Sequence, residues 1–555
     1  MNETLDGIKA IAAPLITMVL GMIVLMMDLG SGPEAVRRRR SLPTISIVGL
    51  VMTGIVALVS NVGRQLMVQP GQEAAAFFGR GMVADVFGSV FCVVLCIVAG
   101  LAIAMSDRYL EERGINHGEF YALVLFSTAG AMLMAQANDL VNVFVGLEVL
   151  SVALYILCGF ARRDRRSEES AVKYFLLGSF ASGFLLFGTA LIYGAVGLSA
   201  RTLGINLGFP GSFTNFEVIG QVLRESAQQG QPLASSSLFV TGVALLMVGL
   251  GFKASVVPFH TYAPDVYEGA PTPVTAFMSA GAKIGAFAAF VRLFHTLLNA
   301  ESAEPFRIVL WGLAAATMIV GNVLAVRQTN IKRMLAYSSI AHAGYILVGV
   351  LASGVREAYQ YAHQAVLFYL FVYTFMNLGA FALVIWLGRN GEEYTRISDY
   401  SGLARKQPLA ALAMSIFMLS LAGIPPAAGF LGKLYLFMSA VQAGEALLAG
   451  IGLVVSAIGV FYYLNLIVRM YFYEPSDAVD FGVVRGGGAR WAALLAAAVT
   501  LIFGLLPNPL IGPRPADEDV VDTVRDLRLR DRTRTPRPEG TPPTPAPTTE
   551  GAPGS

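Results

Sequence analysis

About fourteen times along this chain a predominantly apolar run recurs that is long enough to carry a helix across hydrocarbon, which takes about 20 residues. The runs fall near 8–28, 43–61, 81–106, 118–137, 139–161, 170–196, 236–256, 272–298, 306–326, 333–353, 361–388, 408–441, 447–472 and 490–508. Lipid offers backbone groups no hydrogen-bond partners, so only helices or a closed barrel can span it. A barrel would show short segments of alternating polarity instead. The fold class expected is therefore an all-α polytopic membrane protein.

Composition agrees. Of the 555 residues, 55% are hydrophobic and 14% charged, against about 25% charged in a soluble domain. With a net charge of +2, nothing global points to nucleic acid. Cys92, Cys96 and Cys158 lie in apolar runs with no histidine or further cysteine beside them, and read as small buried hydrophobes. No metal-ligand spacing, phosphate loop or strand-borne glycine fingerprint occurs. The chain is expected to hold no redox centre or nucleotide of its own. The first run is followed by Arg37–Arg40, as in a retained helix with a cytoplasmic anchor and not a cleaved signal.

Arginine and lysine set the orientation. One set of alternate loops carries Arg37–Arg40, Arg108, Arg113, Arg162, Arg163, Arg165, Arg166, Arg327, Lys332, Arg333, Arg396, Arg405, Lys406, Arg469 and Arg485. The other carries scattered cases such as Arg64, Arg80, Arg201, Arg224 and Arg356. A bias of roughly three to one places the first set in the cytoplasm. With an even number of spans, both termini are expected outside. The expected organisation is a three-helix segment over 1–110, two repeat regions over 111–300 and 301–475, a last span within 476–513, and a disordered polar tail over 514–555. The stretch 198–235 reads as a polar loop.

Charges inside the spans point to chemistry, because each costs about 2.5–3.5 kcal/mol to insert at a helix centre. Glu148 lies in the fifth span, with Ser151 and Tyr155 on its face. Lys253 lies near the end of the seventh, Lys283 in the eighth and Lys433 in the twelfth. Pro258 follows Lys253, and Gly423-Ile424-Pro425-Pro426 precedes Lys433, so two spans are interrupted beside a lysine. Interrupted helices at matching places in two five-helix halves, spans four to eight and nine to thirteen, are the signature of an inverted-repeat transporter. In an apolar site a lysine amine releases its proton more readily than in water, and a nearby carboxylate opposes that release. Arginine would stay protonated. Lysines linked by His260, His342, tyrosine, serine and water can therefore form a switchable proton wire.

Each residue also has a plainer reading. Glu148, Lys283 and Lys433 could pin helices as static pairs, and Lys253 could snorkel to the interface. His342 and His260 could be satisfied core histidines, as His295 and His363 are expected to be. Arg292 and Lys173 read as interface anchors, and Asp265 and Glu268 as loop residues.

The motifs resemble the antiporter-like membrane subunits of respiratory complex I. They are Asn138-Asp139-Leu140, Gly146-Leu147-Glu148, Lys173-Tyr174-Phe175, Gly251-Phe252-Lys253 with Val257-Pro258-Phe259-His260, Arg333 through Ile340, and Gly423-Ile424-Pro425 through Gly432-Lys433. The similarity covers about residues 100–475. Pro264 through Val274, a lysine at 283 where sister subunits tend to carry histidine, and no apolar span after 508 resemble the N-type branch. The B-type subunits of the photosynthetic NDH complex are close relatives, and three extra N-terminal helices fit both.

The resemblance implies proton translocation coupled to NADH:quinone electron transfer in other subunits. It makes Glu148 the coupling carboxylate, Lys253 its partner, Lys283 the central relay and Lys433 the terminal carrier. NAD, FMN, iron–sulfur clusters and quinone would sit in partner subunits. Those partners are the A, H, J, K, L and M membrane types and, through them, the peripheral arm, in a bacterial inner membrane. Two rivals stand beside this reading: a subunit of a multisubunit cation/proton antiporter, and a passive scaffold whose charges only hold helices together.

Overall fold

The computed structural model describes residues 11–29, 39–67, 75–77, 80–207, 212–298, 304–355, 358–389, 392–475, 479, 481 and 487–506. The tail expected to be disordered, 514–555, lies outside them, as does Arg485. In chain order the helices are α1 (Ala12–Asp28), α2 (Leu42–Met67), α3 (Val86–Glu112), α4 (Gly118–Gln136), α5 (Leu140–Cys158), α6 (Arg165–Thr202), α7 (Phe216–Gln228), α8 (Ser237–Ala254) and α9 (Ala263–Gly269). There follow α10 (Thr272–Leu298), α11 (Glu304–Val326), α12 (Ile331–Ala352), α13 (Tyr359–Leu387), α14 (Pro408–Ala422), α15 (Ala428–Gln442), α16 (Ala446–Phe472) and α17 (Gly488–Leu505). A short ribbon pairs β1 (Ala75–Phe77) with β2 (Met82–Ala84).

Among the described residues, 12 helices are long and apolar enough to cross a membrane alone. Two shorter apolar helices, α1 and α14, accompany them, and α15 follows α14 after a break. Their packing separates core from periphery. Helices α10, α12 and α13 are almost wholly enclosed by protein, whereas α6, α11 and α16 expose broad apolar faces. Such faces need lipid or another apolar surface, and an enclosed helix does not. The polar residues discussed below lie mainly on and around the enclosed helices.

Two halves repeat one plan. The first comprises α4, α5, α6, α8–α9 and α10; the second comprises α11, α12, α13, α14–α15 and α16. In each, the first helix packs on the second and the third on the fourth. Glycine permits the close approach of the first pair: a Cβ at Gly130 of α4 would lie 2.7 Å from the Gly146 carbonyl oxygen of α5, and one at Gly344 of α12 would meet the backbone of Met318 in α11. The second helix of each half is capped by its preceding side chain, Asp139 on the Val141 N–H and Asn330 on the Lys332 N–H, both at 2.8 Å. Each cap residue also pairs with the loop after the third helix, Asp139 with Asn215 and Asn330 with Arg396.

The fourth helix of each half is broken. Helix α8 stops where Ser255 takes a left-handed conformation (φ 60°), and α14 stops at Gly423 (φ 83°). Pro258, Pro425 and Pro426 prevent immediate continuation. A third irregularity is not legible from proline or glycine punctuation: Met278–Ala282 in α10 is π-helical, immediately before Lys283.

Two sequence expectations require correction. The third span begins at Val86, because Asp85 caps it through the Gly88 N–H at 2.8 Å, and it runs on to Glu112. The stretch 198–235 is not simply a polar loop. Helix α6 continues through Thr202, and α7 buries Phe216, Ile219, Val222 and Leu223 at helical spacing behind the Asn215 cap.

Candidate functional site

All three intramembrane lysines are buried: Lys253 is 3% exposed, Lys283 1% and Lys433 6%. None snorkels. Each stands at a helix irregularity with a polar neighbour ready for its ammonium.

Lys253 occupies the last turn of α8, where the helix dipole favours a cation. Its Nζ donates to Ser151 Oγ at 2.8 Å and Tyr174 OH at 3.0 Å, and lies 5.2 Å from the Tyr174 ring centre. Tyr174 stacks on Tyr262, whose hydroxyl donates to the Phe252 carbonyl at 2.9 Å across the break. Glu148 is within Coulombic reach of Lys253, but no direct ion pair joins them among the described residues. Its Oε1 is buried with no hydrogen-bond partner there. Ser151, expected to keep company with Glu148, instead serves Lys253 and donates to the Leu147 carbonyl at 2.5 Å. With its proton on the Leu147 carbonyl, Ser151 presents its oxygen lone pairs to the Lys253 ammonium and has no donor left for the Glu148 carboxylate.

Lys283 follows the π-helical turn and donates to the Ser339 backbone carbonyl of α12. Tyr373 donates to Ser339 Oγ at 2.8 Å, and Asn377 donates to Tyr373 OH at 3.0 Å and to Ser279 Oγ at 2.6 Å. One turn along α12, His342 is held at both nitrogens, by Tyr369 OH at 2.5 Å and Tyr463 OH at 3.2 Å. Tyr463 also bonds Ser338. His342 interacts electrostatically with both Lys283 and Lys433.

Lys433 reaches from α15 back to the end of α14. Its Nζ donates to the Leu421 and Ala422 carbonyls at 2.9 and 3.0 Å and to Ser456 Oγ at 2.8 Å, and lies 5.0 Å from the Tyr345 ring centre. Those carbonyls are unsatisfied by the broken helix itself. Beside them, Asn322 donates to Tyr345 OH at 2.9 Å and accepts from Tyr462 OH at 3.2 Å.

The remaining sequence candidates separate clearly. His260 lies in the link between α8 and α9 with Nδ1 buried and unpartnered, and among the described residues no hydrogen bond ties it to Lys253. His295 and His363 pack against Tyr359, away from the lysines. Arg292 is not an interface anchor. It is 12% exposed and donates to Asp85 at 2.7 Å and to the Ala135 carbonyl at 2.9 Å. Lys173 is pinned to Asp265 at 2.8 Å, and Arg333 to Asp265 and Glu268 at 2.8 and 2.9 Å. Asp265 and Glu268 thus hold α9 against α6 and α12.

Lys332, read from sequence as a loop charge, is 2% exposed. It donates to the Ala270 carbonyl at 2.8 Å and pairs with Glu393 at 3.4 Å. Glu393 also accepts from Tyr109 at 2.6 Å and pairs with Arg113 at 3.3 Å. Burial alone would push the Glu393 carboxyl up, but Lys332 and Arg113 outweigh it and hold it at about 2. A cavity of about 160 Å³ opens beside this pair, lined also by Asp164, Arg166, Glu268 and Asn330.

Known proteins resemble this chain in sequence and fold. Residues 137–459 match the family described as NADH:quinone oxidoreductase/Mrp antiporter, TM. A protein named NADH-quinone oxidoreductase subunit N from Trichlorobacter lovleyi is 43% identical over 505 residues, covering 91% of this chain and 96% of its own. One of the same name from Paramagnetospirillum magneticum is 38% identical, covering 94% and 99%. A chain in the structure of respiratory complex I from Thermus thermophilus with bound aureothin superimposes with a TM-score of 0.69 at 32% identity, covering 89% and 97%. A chain of the Mrp complex from Dietzia shares the fold, with a TM-score of 0.71 at 23% identity and coverage of 90% and 95%. On these matches, the chain belongs to the subunit N family of NADH-quinone oxidoreductase, the antiporter-like membrane subunits of respiratory complex I.

Proposed function

We propose that this chain translocates protons as the N subunit of a proton-pumping NADH:quinone oxidoreductase, using Glu148, Lys253, Lys283, His342 and Lys433 in that order. One observation carries the residue assignment: three buried lysines stand at three helix irregularities, each against hydroxyls or backbone carbonyls, with His342 in electrostatic reach of the last two. A lysine so placed can lose its charge when a neighbouring group moves, because its partners among the described residues are neutral hydroxyls and carbonyls and not a directly paired carboxylate. Glu148, with an unpaired buried oxygen near Lys253, supplies the field that responds to events outside the chain. His260, in the break, is assigned a relay role at the Lys253 end.

The redox chemistry belongs to partner subunits carrying FMN, iron–sulfur clusters, NAD and quinone. The membrane subunits of A, H, J, K, L and M types are the neighbours this role requires. The Arg-rich end, with Arg113, Lys332 and Arg333, faces the cytoplasm of a bacterial inner membrane, and both termini lie on the opposite side. The two repeat regions, 111–300 and 301–475, each contribute one broken helix.

Tagging this chain in its native membrane and identifying what is isolated with it tests the assignment. Co-isolation with peripheral flavin and iron–sulfur subunits, in a complex that acidifies one compartment during NADH oxidation, is the expected result. Isolation with only small antiporter subunits, and sodium/proton exchange without NADH, would contradict it.

A further inference from the structure

One buried polar group is wired between the histidine and the terminal lysine without being able to carry a proton. Asn322, in α11, is 1% exposed. Its Nδ2 donates to the Met318 carbonyl and to Tyr345 OH, both at 2.9 Å, while Oδ1 accepts from Tyr462 OH at 3.2 Å. The Met318 carbonyl can only accept, which fixes the orientation of the amide. Gly459 makes room for it: a Cβ there would lie 2.7 Å from Asn322 Oδ1.

The neighbours extend the chain in both directions. Tyr462 is in polar contact with Tyr463, the phenol that meets His342 Nε2. Tyr345 is in polar contact with Ser456, which accepts from Lys433 Nζ. An all-protein series of polar side chains therefore runs from His342 to Lys433, and its middle member is a carboxamide.

Phenol, serine and imidazole groups can accept a proton on one side while releasing another from the opposite side. Asn322 has no hydroxyl proton to hand on, and both its N–H bonds are engaged. Passage through it would require an unstable imidic acid form. We propose that Asn322 is a positioning residue and a proton block: it holds Tyr345 beside Lys433 and Tyr462 beside Tyr463, and denies protons a fixed side-chain path between His342 and Lys433. This inference rests on the proton-translocating reading above. A permanently conducting path would let protons run back whenever electron transfer pauses. The block leaves transfer dependent on movement at the lysine sites.

The test uses the intact purified complex in sealed phospholipid vesicles. A gradient is built by NADH oxidation and its decay followed once NADH is exhausted. Asn322→Asp places a group that can relay protons at the centre of the series. Decay several-fold faster than native is expected, with fewer protons retained per electron. Asn322→Gln keeps the amide and should decay like the native complex. Adding Tyr345→Phe to Asn322→Asp removes the next hydroxyl and should restore slow decay. Should Asn322→Asp fail to assemble, Asn322→Ser carries the same expectation. A tight Asn322→Asp or Asn322→Ser complex, or an Asn322→Gln complex that leaks equally, overturns the proposal. Failure of both relay-capable variants to assemble also overturns it, in favour of a packing role. Failure of the underlying reading is distinguishable, because pumping would then survive removal of Lys253 or Lys433 with Asn322 native.

Discussion

The Lys433 ammonium donates to the Ala422 carbonyl at 3.0 Å, across the break between α14 and α15. One residue thus both closes the end of a broken helix and holds the last buried cation of the series. The two roles can be separated. Lys433→Arg retains a donor for those carbonyls and a cation for the Tyr345 face, but cannot release a proton. The assembled complex is expected to keep near-native thermal stability and lose proton transfer. Lys433→Met should lose both, with a stability loss of about 1–3 kcal/mol from the unsatisfied buried carbonyls. Thermal unfolding of each purified complex, read beside its pumping, checks the distinction.

Glu393 gives a pH-dependent expectation. Its folded carboxyl sits at about 2, against 4.5 when unperturbed. A carboxylate held down in this way stabilises the fold fully above its unfolded value, and that contribution is lost as pH falls from about 4.5 toward about 2. At neutral pH the contribution is on the order of 3 kcal/mol. Glu393→Gln should therefore lower the unfolding temperature at neutral pH and flatten its dependence on pH below about 5. An unchanged melting curve at neutral pH would show that Lys332 and Arg113 find other partners.

Close helix contact in the first half depends on Gly130. A Cβ there would lie 2.7 Å from the Gly146 carbonyl oxygen, which backbone cannot easily yield. Gly130→Val should push α4 from α5, costing about 1–3 kcal/mol or more and reducing assembled complex in the membrane. Gly100→Ala, whose Cβ would meet nothing within 4 Å, should assemble normally. Equal yields from the two variants would contradict this packing.

The sequence revealed charges better than it revealed their company. Glu148, Lys253, Lys283 and Lys433 were legible because a charge in an apolar run is costly enough to need a reason. Both breaks were legible from proline and glycine. Tyr369, Tyr463, Asn322 and Ser456 were not, since neutral polar residues interrupt apolar spans at little cost. Their partners also lie far apart in sequence: His342 meets Tyr463 across 121 positions. Lys332 was misread because one residue's position at a span end does not reveal whether a carboxylate such as Glu393 arrives from another loop. The π-helical turn before Lys283 contains no proline, and its Gly281 does not set it apart from the glycines inside regular spans.

Proton movement by the buried lysines sets how many protons the complex translocates. The proton-to-electron ratio of the reconstituted complex measures it most directly, with Lys253→Met and Lys433→Ala compared with the native protein. Both variants should assemble with their partner subunits and show a reduced ratio or rate of proton translocation during NADH oxidation. Undiminished ratio and rate in both assembled complexes would contradict the account.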